Sequence, residues 1–316
     1  MIWGGMLLDW LQKNLMMAKV LLIHNPTAGD EEHNKEELTR ALNDGGWEVE
    51  YHSAKKDDWK KENIDSDIIA VAGGDGTIGK LVRHLLQNPG QPAIPIGILP
   101  LGTANNIAKT FNANPDIKAA IESWNHSVVK KVDAGKVSNI PEVNFFVEGM
   151  GFGIFPYLMK QMKEAKKEYE SPEAELAEAL KQLHQVLWNY EPRHCHLEVD
   201  GTDHSGKFYM VEVMNIRSIG PNVMLAPLAD PGDGEFEVVL IPESHKEKFS
   251  TYLEHRIEEG NDAFHFHTLK GKNITIKWEG TRIHVDDKML QLEKGIEVSI
   301  EMVPSALSVM VPANTD

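Results

Sequence analysis

Gly73-Gly74-Asp75-Gly76-Thr77 is the stretch whose residue types and spacing could do chemistry. It closes the apolar run Ile68-Ile69-Ala70-Val71-Ala72. Glycines at such a point let the backbone approach a ligand closely and take up positive φ. The amides of the loop, with the start of a following helix, form an anion site. Asp75 and Thr77 place one carboxylate and one hydroxyl inside it, which suits a metal-bound phosphate. The competing explanation is a plain strand-to-helix turn.

The elements that must hold this loop follow from the surrounding pattern. Residues 19–24 read as a short apolar strand ending in Asn25-Pro26-Thr27-Ala28-Gly29. Residues 31–42, from Glu31, read as a helix with acids in its first turn, stopped by Gly45-Gly46. Residues 47–52 alternate as a second strand that reaches Ser53. The run before Gly73 is the third strand and residues 78–86 its helix. Residues 94–99 form a fourth strand, leading into Pro100-Leu101-Gly102-Thr103-Ala104-Asn105-Asn106. Strand, loop and helix thus alternate repeatedly, the signature of a doubly wound, Rossmann-like parallel sheet with ligand loops at the C-terminal strand ends.

The second half reads differently. Residues 128–137 and 145–147 are strand-like, and residues 155–190 form a helical insertion whose second helix opens at Ser171-Pro172. From His194 onward strands dominate, with Asp200-Gly201 and Glu279-Gly280 as hairpin turns. This predicts an antiparallel β-sandwich. The expected division is an extension at 1–17, a nucleotide-binding α/β domain at 18–135 and a β-rich domain at 136–316.

Composition narrows the classes. The chain has 316 residues, 32 basic and 48 acidic, for a net charge of −16, which argues against a nucleic-acid partner. One cysteine, Cys195, leaves no internal disulfide and fits a reducing cytoplasm. No apolar run reaches the length of a membrane span. Trp3, Leu7, Trp10 and Leu11 share one helical face upstream of Met16 and Met17. They fit either an interfacial helix or an extension ahead of the true start. His194 and His196 point one way on a strand and Cys195 the other, so they are not read as a metal site, nor are His265 and His267.

Asn25-Pro26-x-Ala28-Gly29, Gly73-Gly74-Asp75-Gly76-Thr77, Gly102-Thr103-Ala104-Asn105, Leu225-Ala226-Pro227 and Asp233-Gly234 follow one another in that order. Together they resemble the diacylglycerol kinase and sphingosine kinase family, in its bacterial lipid kinase branch, over about residues 18–312. The glycine loop alone is shared with NAD kinases and phosphofructokinases. The resemblance implies transfer of the γ-phosphate of ATP, with Mg²⁺, to a lipid hydroxyl such as that of diacylglycerol. It implies a nucleotide site at Asn25, Ser53, Gly73, Gly74, Gly76, Thr77, Gly102 and Thr103, with Asp75 near the metal-bound phosphates. The lipid would enter between the two domains, and the protein would work at the cytoplasmic face of a membrane as a peripheral enzyme. A homodimer is left open.

Residues 229–235, Ala-Asp-Pro-Gly-Asp-Gly-Glu, alternate oxygen ligands with turn residues as a hard cation requires. The resemblance implies a structural Mg²⁺ there, with the Asp233 carboxylate and the backbone carbonyls of Asp230 and Glu235 as its ligands. A metal-free acidic turn is the alternative.

Three acid positions of the family are not acidic here. Lys80 stands three residues after Thr77, Asn106 follows Asn105, and Asp286-Asp287-Lys288 stands where the family has Asp-Gly-Glu with the general base at Glu. A protonated lysine cannot accept a proton. At a hairpin turn Asp287 could be aimed into the cleft in its place. A weak or inactive member that binds nucleotide or lipid is therefore the second reading, and an NAD kinase-like enzyme for a soluble substrate the third.

Overall fold

The computed structural model describes residues 17–28, 33–56, 58–60, 64–88, 93–165, 167, 169–258 and 266–313. Gly29, Glu31, His265 and the N-terminal stretch bearing Trp3, Leu7, Trp10 and Leu11 lie outside the described residues.

Four apolar segments become parallel strands: β1 (Ala18–His24), β2 (Trp47–Ser53), β3 (Ile68–Gly73) and β4 (Ile96–Pro100). They lie in the order β4-β3-β1-β2. All six residues of β3 are buried, as a central strand covered on both faces requires. Helix α1 (Lys35–Asp44) packs Leu38 and Leu42 on the face carrying Ala70 and Ala72. Helix α2 (Asp75–Gln87) packs Ile78, Leu81 and Val82 on the face carrying Ile69 and Val71. α1 begins at Lys35 because Asn34 and Glu37 exchange side-chain-to-backbone bonds in a capping box. The strand order reverses between β1 and β3, and this opens a crevice at their C-terminal ends. Helices α3 (Asn106–Thr110) and α4 (Ile117–Ser123) follow β4.

Strand β5 (Ser127–Ser138) leads into the second half. There β6 (Phe145–Phe146) and β7 (Gly149–Gly153) precede helices α5 (Ile154–Ala165) and α6 (Pro172–Asn189). Next come β8 (Arg193–Val199), β9 (Thr202–Asp203), β10 (Gly206–Met214), β11 (Ser218–Ile219), β12 (Val223–Met224) and β13 (Phe236–Pro242). Helix α7 (Lys246–Glu258) separates these from β14 (His267–Gly271), β15 (Asn273–Trp278), β16 (Arg282–Val285), β17 (Lys288–Gln291) and β18 (Glu297–Pro312).

The architecture is an α/β half joined to a β-sandwich half. β18 joins them: Val309 pairs in parallel with Ile96 of β4, while the strand runs antiparallel to β5 with a bulge between Val303 and Leu307. Leu307 and Val309 thereby enter the same apolar core as Val71 and Ile78. A C-terminal strand built into the first half fixes the two halves against each other, and so fixes any site between them.

Glu279-Gly280 is not a hairpin turn. β15 pairs with β8 and β18, whereas β16 pairs with β7 and β17, so the chain crosses there between strands that are separated in the sheet by β8, β10 and β7. The hairpin falls instead at Asp286-Asp287, where Val285 pairs with Lys288. Strand β7 does not read as a strand because its sequence, Gly-Met-Gly-Phe-Gly, has the composition of a loop. Its glycines are tertiary necessities: a Cβ on Gly151 would sit 2.1 Å from the Glu212 carboxylate, and one on Gly153 2.0 Å from the Tyr209 carbonyl.

Candidate active site

The expected loops meet at the ends of the parallel strands. Asn25 follows β1, and its N–H donates to the Ala72 carbonyl at 2.9 Å. Ser53 ends β2, paired with His24. Gly73 ends β3 and is paired with Pro100 at the end of β4. Gly74 is the N-cap of α2 and carries no side chain to satisfy the first-turn amides. Such a bare helix start, with the partial positive charge of the helix dipole, favours an anion. Thr77 folds back over the strand end, so that a Cβ on Gly73 would lie 2.5 Å from its Oγ1.

Gly74 and Gly102 bring two loops into backbone contact: a Cβ on Gly102 would lie 2.4 Å from the Gly74 Cα. Asn105, at φ 52°, closes the second loop by accepting from the Gly102 N–H at 2.9 Å and donating to the Gly102 carbonyl at 2.6 Å. Asparagine tolerates this left-handed conformation better than most residues. The Thr103 hydroxyl donates to Glu175 of α6 at 3.1 Å, a contact from the second half that the sequence does not announce.

Asp75 has a role its position in the loop does not reveal. Its two carboxylate oxygens accept the N–H groups of Asn106 and Ile107, each at 2.9 Å. Asn105, the N-cap of α3, makes no side-chain cap bond, and Asp75 supplies it from another helix. The glycine loop and the Gly102 loop are thus locked together by one acid.

Around Asp75 the structure gathers carboxylates from distant parts of the chain. Asp286 and Asp287 form the β16–β17 turn, with Asp286 at φ 48°. Asp286 accepts from the amides of Val147 (3.2 Å), Glu148 (2.9 Å) and Gly149 (3.3 Å). Arg83 of α2 reaches Asp286 with one nitrogen and Asp287 with the other, both at 3.2 Å. Asp286 is buried, while the Asp287 side chain is 42% exposed and faces the glycine loop. A Cβ on Gly76 would lie 2.8 Å from Asp287 Oδ2. The turn therefore aims Asp287 at the phosphate-type loop and ties Asp286 to the backbone behind it.

Glu148 and Arg83 are the residues that sequence reasoning missed. Glu148 is buried, and the Asn106 side-chain amide donates to it at 3.1 Å and to the Gly220 carbonyl at 3.0 Å. An aspartate in place of Asn106 would set a further carboxylate against Glu148, so the amide relieves charge that an acid would add. The available signals were a lone acid in an apolar, glycine-rich run and an arginine beside the apolar residues of α2. Behind the turn, His284 Nε2 lies 2.8 Å from Glu212 Oε2, and its Nδ1 lies 3.2 Å from the Asp286 carbonyl.

Burial pushes the Asp75, Glu148 and Asp286 carboxyls up, with Asp286 reaching about 6. Neighbouring carboxylates add to the shift of Glu148, and backbone N–H donors partly oppose it at Asp75 and Asp286. Between about pH 4 and about 6 the folded chain holds a proton on Asp286 that the unfolded chain releases. The stability tied to that proton is fully present below this window and lost as pH rises through it. Glu148, also raised, works in the same direction. Glu148→Gln keeps an acceptor for Asn106 and removes a buried charge. It is expected to flatten this pH dependence and to raise Tm at pH 8 by about 2–4 °C, on the order of 1 kcal/mol. Calorimetric melting of both proteins from pH 4 to 8 checks this, and an unchanged slope would show that Glu148 titrates elsewhere.

The acidic side chains of the 229–235 loop are paired with lysines from other strands. Asp230 is paired with Lys130. Asp233 lies 3.0 Å and Glu235 3.8 Å from the Lys270 ammonium, which also reaches the buried Glu237 at 3.4 Å. Asp133 accepts from the Gly234 amide at 2.8 Å and the Ser305 amide at 2.6 Å, anchoring the loop to β18. Lysine cations thus stand among the acids of this loop. Among the described residues, no group of three or more His, Cys, Asp or Glu is arranged to hold a metal. His194 and His196 are exposed on β8 while Cys195 is buried between them, its thiol pushed by burial to about 12.

A doubly wound domain presenting two touching phosphate-type loops to a β-sandwich defines a class of nucleotide-dependent phosphotransferases. Comparison with known proteins narrows it. Residues 19–137 match the diacylglycerol kinase catalytic domain, and residues 161–311 match the YegS C-terminal NAD kinase beta sandwich-like domain. A protein of Staphylococcus haemolyticus named "Putative lipid kinase" is 28% identical over 265 residues, covering 80% of this chain and 79% of that one. A solved structure titled "A putative diacylglycerol kinase", from Bacillus anthracis, superposes with a TM-score of 0.72 at 20% identity, covering 93% of this chain and 97% of that one. Yeast NADH kinase, solved with NADH, shares the fold at a TM-score of 0.51 and 12% identity, over 95% of this chain and 84% of that one. The chain belongs to the diacylglycerol kinase-like lipid kinase family.

Proposed function

We propose that this protein is an ATP-dependent lipid kinase, transferring the γ-phosphate of ATP to a hydroxyl of diacylglycerol or a related lipid. The observation that carries this reading is the Asp286-Asp287 turn, which sets an accessible carboxylate against Gly76 of the glycine loop. Phosphoryl transfer rests mostly on positioning and charge stabilisation. Asn25, Ser53, Gly73, Gly74, Gly76, Thr77, Gly102 and Thr103 would cradle the nucleotide. Asp75 would hold the two loops at one spacing. Asp287 would take the proton of the attacking hydroxyl, with Arg83 fixing its rotamer. Mg²⁺ is a co-substrate carried by the ATP phosphates, where it would neutralise charge. The lipid would be met at the cytoplasmic face of a membrane by a peripheral enzyme. No helix among the described residues is long and apolar enough to cross a membrane.

A second reading, a weakly active or inactive nucleotide-binding relative, is favoured by one observation. Lys80 and Lys288 stand at positions where the resemblance leads one to expect acids, and both line a pocket beside Asp287. A radiolabelled-ATP assay across a lipid panel, with ATP hydrolysis alone as control, separates the two. Transfer to a lipid above the hydrolysis background supports the kinase. ATP binding without transfer to any lipid supports the second reading.

A further inference from the structure

Behind the Asp286-Asp287 turn, Glu212 of β10, Gly151 of β7 and His284 of β16 stand side by side in one row of the sheet. Glu212 and His284 are two strands apart, and a side chain on the strand between would separate them. Gly151 leaves the gap open: a Cβ there would lie 2.1 Å from Glu212 Oε2. The carboxylate crosses the gap, and its Oε2 lies 2.8 Å from His284 Nε2. Both side chains are buried. The other ring nitrogen, Nδ1, lies 3.2 Å from the Asp286 carbonyl. A carbonyl oxygen only accepts, so Nδ1 carries a hydrogen. Nε2 and Glu212 Oε2 then share one further proton, and the pair is neutral overall whichever atom holds it. Glu212 Oε1 has no hydrogen-bond partner among the described residues, so losing that proton would leave a poorly satisfied charge in the core. Burial opposes a charge on His284, but the Glu212 carboxylate and the bonds to it and to the Asp286 carbonyl outweigh this and raise its pKa. Burial pushes Glu212 up as well. The ionisable groups acting on His284 are Glu212 and Asp286, and Asp286 is itself held by Arg83 of α2. Its other neighbours, Gly151, Phe155 of α5 and Met289 of β17, carry no charge.

Given the kinase reading above, on which this rests, we infer that Glu212 and His284 are positioning residues for Asp287: a proton-holding strut that keeps the turn aimed at the glycine loop. The Asp286 carbonyl belongs to the peptide that joins Asp286 to Asp287, and Asp286 is left-handed at φ 48°. A donor on that carbonyl fixes the peptide plane, and with it the direction in which the Asp287 side chain leaves the turn. While the pair holds its shared proton, Nδ1–H donates to the carbonyl. When hydroxide takes that proton as water, Glu212 is left as a carboxylate. The one hydrogen remaining on the imidazole then moves to Nε2, where its acceptor is charged and the bond stronger. Nδ1 becomes a bare lone pair facing the Asp286 carbonyl. The two repel, a buried acceptor is left without its donor, and Asp287 loses its aim. Transfer therefore falls at alkaline pH through a pair that never touches the substrate.

The test uses the full chain with Mg-ATP and with diacylglycerol, phosphatidylglycerol and sphingosine in mixed micelles, from about pH 6 to about pH 10. In Glu212→Gln the side-chain amide donates to Nε2 and has no proton to lose, so Nδ1–H stays on the carbonyl throughout. The alkaline fall in kcat of the wild type should be absent from this variant. Glu212→Val/His284→Phe removes both polar partners at once, which can leave stability nearly unchanged, and it removes the donor from the turn. Its kcat should fall about ten- to hundredfold, with KM for ATP within about twofold and Tm within about 3 °C. Nitrogen NMR of protein labelled at histidine should show His284 with its hydrogen on Nδ1 at neutral pH and on Nε2 after the alkaline fall. The His284 signals are those that the double variant lacks. An alkaline fall that persists unchanged in Glu212→Gln overturns the proposal. So does a double variant that folds and keeps the full kcat, or a His284 whose Nδ1 is bare at neutral pH. If the double variant fails to fold, the pH profile of Glu212→Gln decides. A chain that binds ATP but transfers phosphate to none of the three acceptors overturns the kinase reading and the positioning role with it. A wrong ring hydrogen in an active chain overturns the positioning role alone.

Discussion

Replacing Asp287 with asparagine is expected to slow phosphoryl transfer by about 10²–10⁴-fold, the usual contribution of a positioned general base. The variant is close to isosteric. Its amide oxygen can still accept from Arg83, which lies 3.2 Å from Asp287 Oδ1, so the turn should persist. ATP affinity should change little, because the phosphate-type loops are built by other residues. What is lost is a group able to receive a proton from a hydroxyl beside Gly76. Lys288→Glu in the Asp287→Asn background should fail to restore the rate. If it restores most of the rate, the base belongs at position 288 and the native enzyme is slow for want of it. If Asp287→Asn keeps full activity on the best acceptor, the turn holds no base at all. A circular dichroism melt of each variant separates these outcomes from simple unfolding.

Gly74→Val is expected to reduce ATP affinity by about a hundredfold or more, equivalent to roughly 3 kcal/mol. A Cβ at Gly74 would stand 2.9 Å from the Gly102 Cα, and that neighbour is backbone that cannot rotate away. The two loops must then separate, and overpacking of this kind costs about 1–3 kcal/mol in stability as well. Asp75 ties the Gly74 loop to the amides of Asn106 and Ile107, so the displacement reaches the start of α3. Thr103→Val should act more mildly. It removes a hydroxyl that meets Glu175 at 3.1 Å but adds no backbone clash. Isothermal titration with ATP and Mg²⁺, with Tm measured in parallel, checks both. Unchanged affinity in Gly74→Val would mean that the nucleotide sits elsewhere.

Much of the first half is legible from sequence because its signals are local. Apolar runs ending in Gly73-Gly74 and Leu101-Gly102 specify buried parallel strands followed by loops, and the repeating alternation specifies their winding. The glycine loop is legible from residue types, whereas Asn25, Ser53 and Thr103 come from the family resemblance; the sheet brings Asn25, Ser53 and the glycine loop to one edge because its parallel strands end there. The α1 start moved from residue 31 to Lys35 because the Asn34–Glu37 capping box is a stronger stop than the acids before it. The second half is less legible. Gly149–Gly153 forms a central strand because Glu212 and the Tyr209 carbonyl occupy the space of its missing side chains. That fact resides in the partners and not in the segment.

The residue types alone determined that this chain carries a phosphate-type loop, an α/β half and a β-rich half, and that lysines stand at positions 80 and 288. Only the tertiary structure decided what surrounds them. Asp286 and Asp287 could be a strand or a turn by sequence, and the pairing of Val285 with Lys288 made them the turn. Arg83 lies 203 and 204 positions away from the two acids it holds, and Glu148 lies 42 from Asn106. Separations of that length leave no periodicity to read. The 229–235 loop shows the reverse case. Its acids have the spacing of a cation loop, and folding sets Lys130 and Lys270 of other strands beside them. A sequence fixes which charges exist, and the fold decides which of them meet, because a charge takes the nearest partner that folding brings within reach.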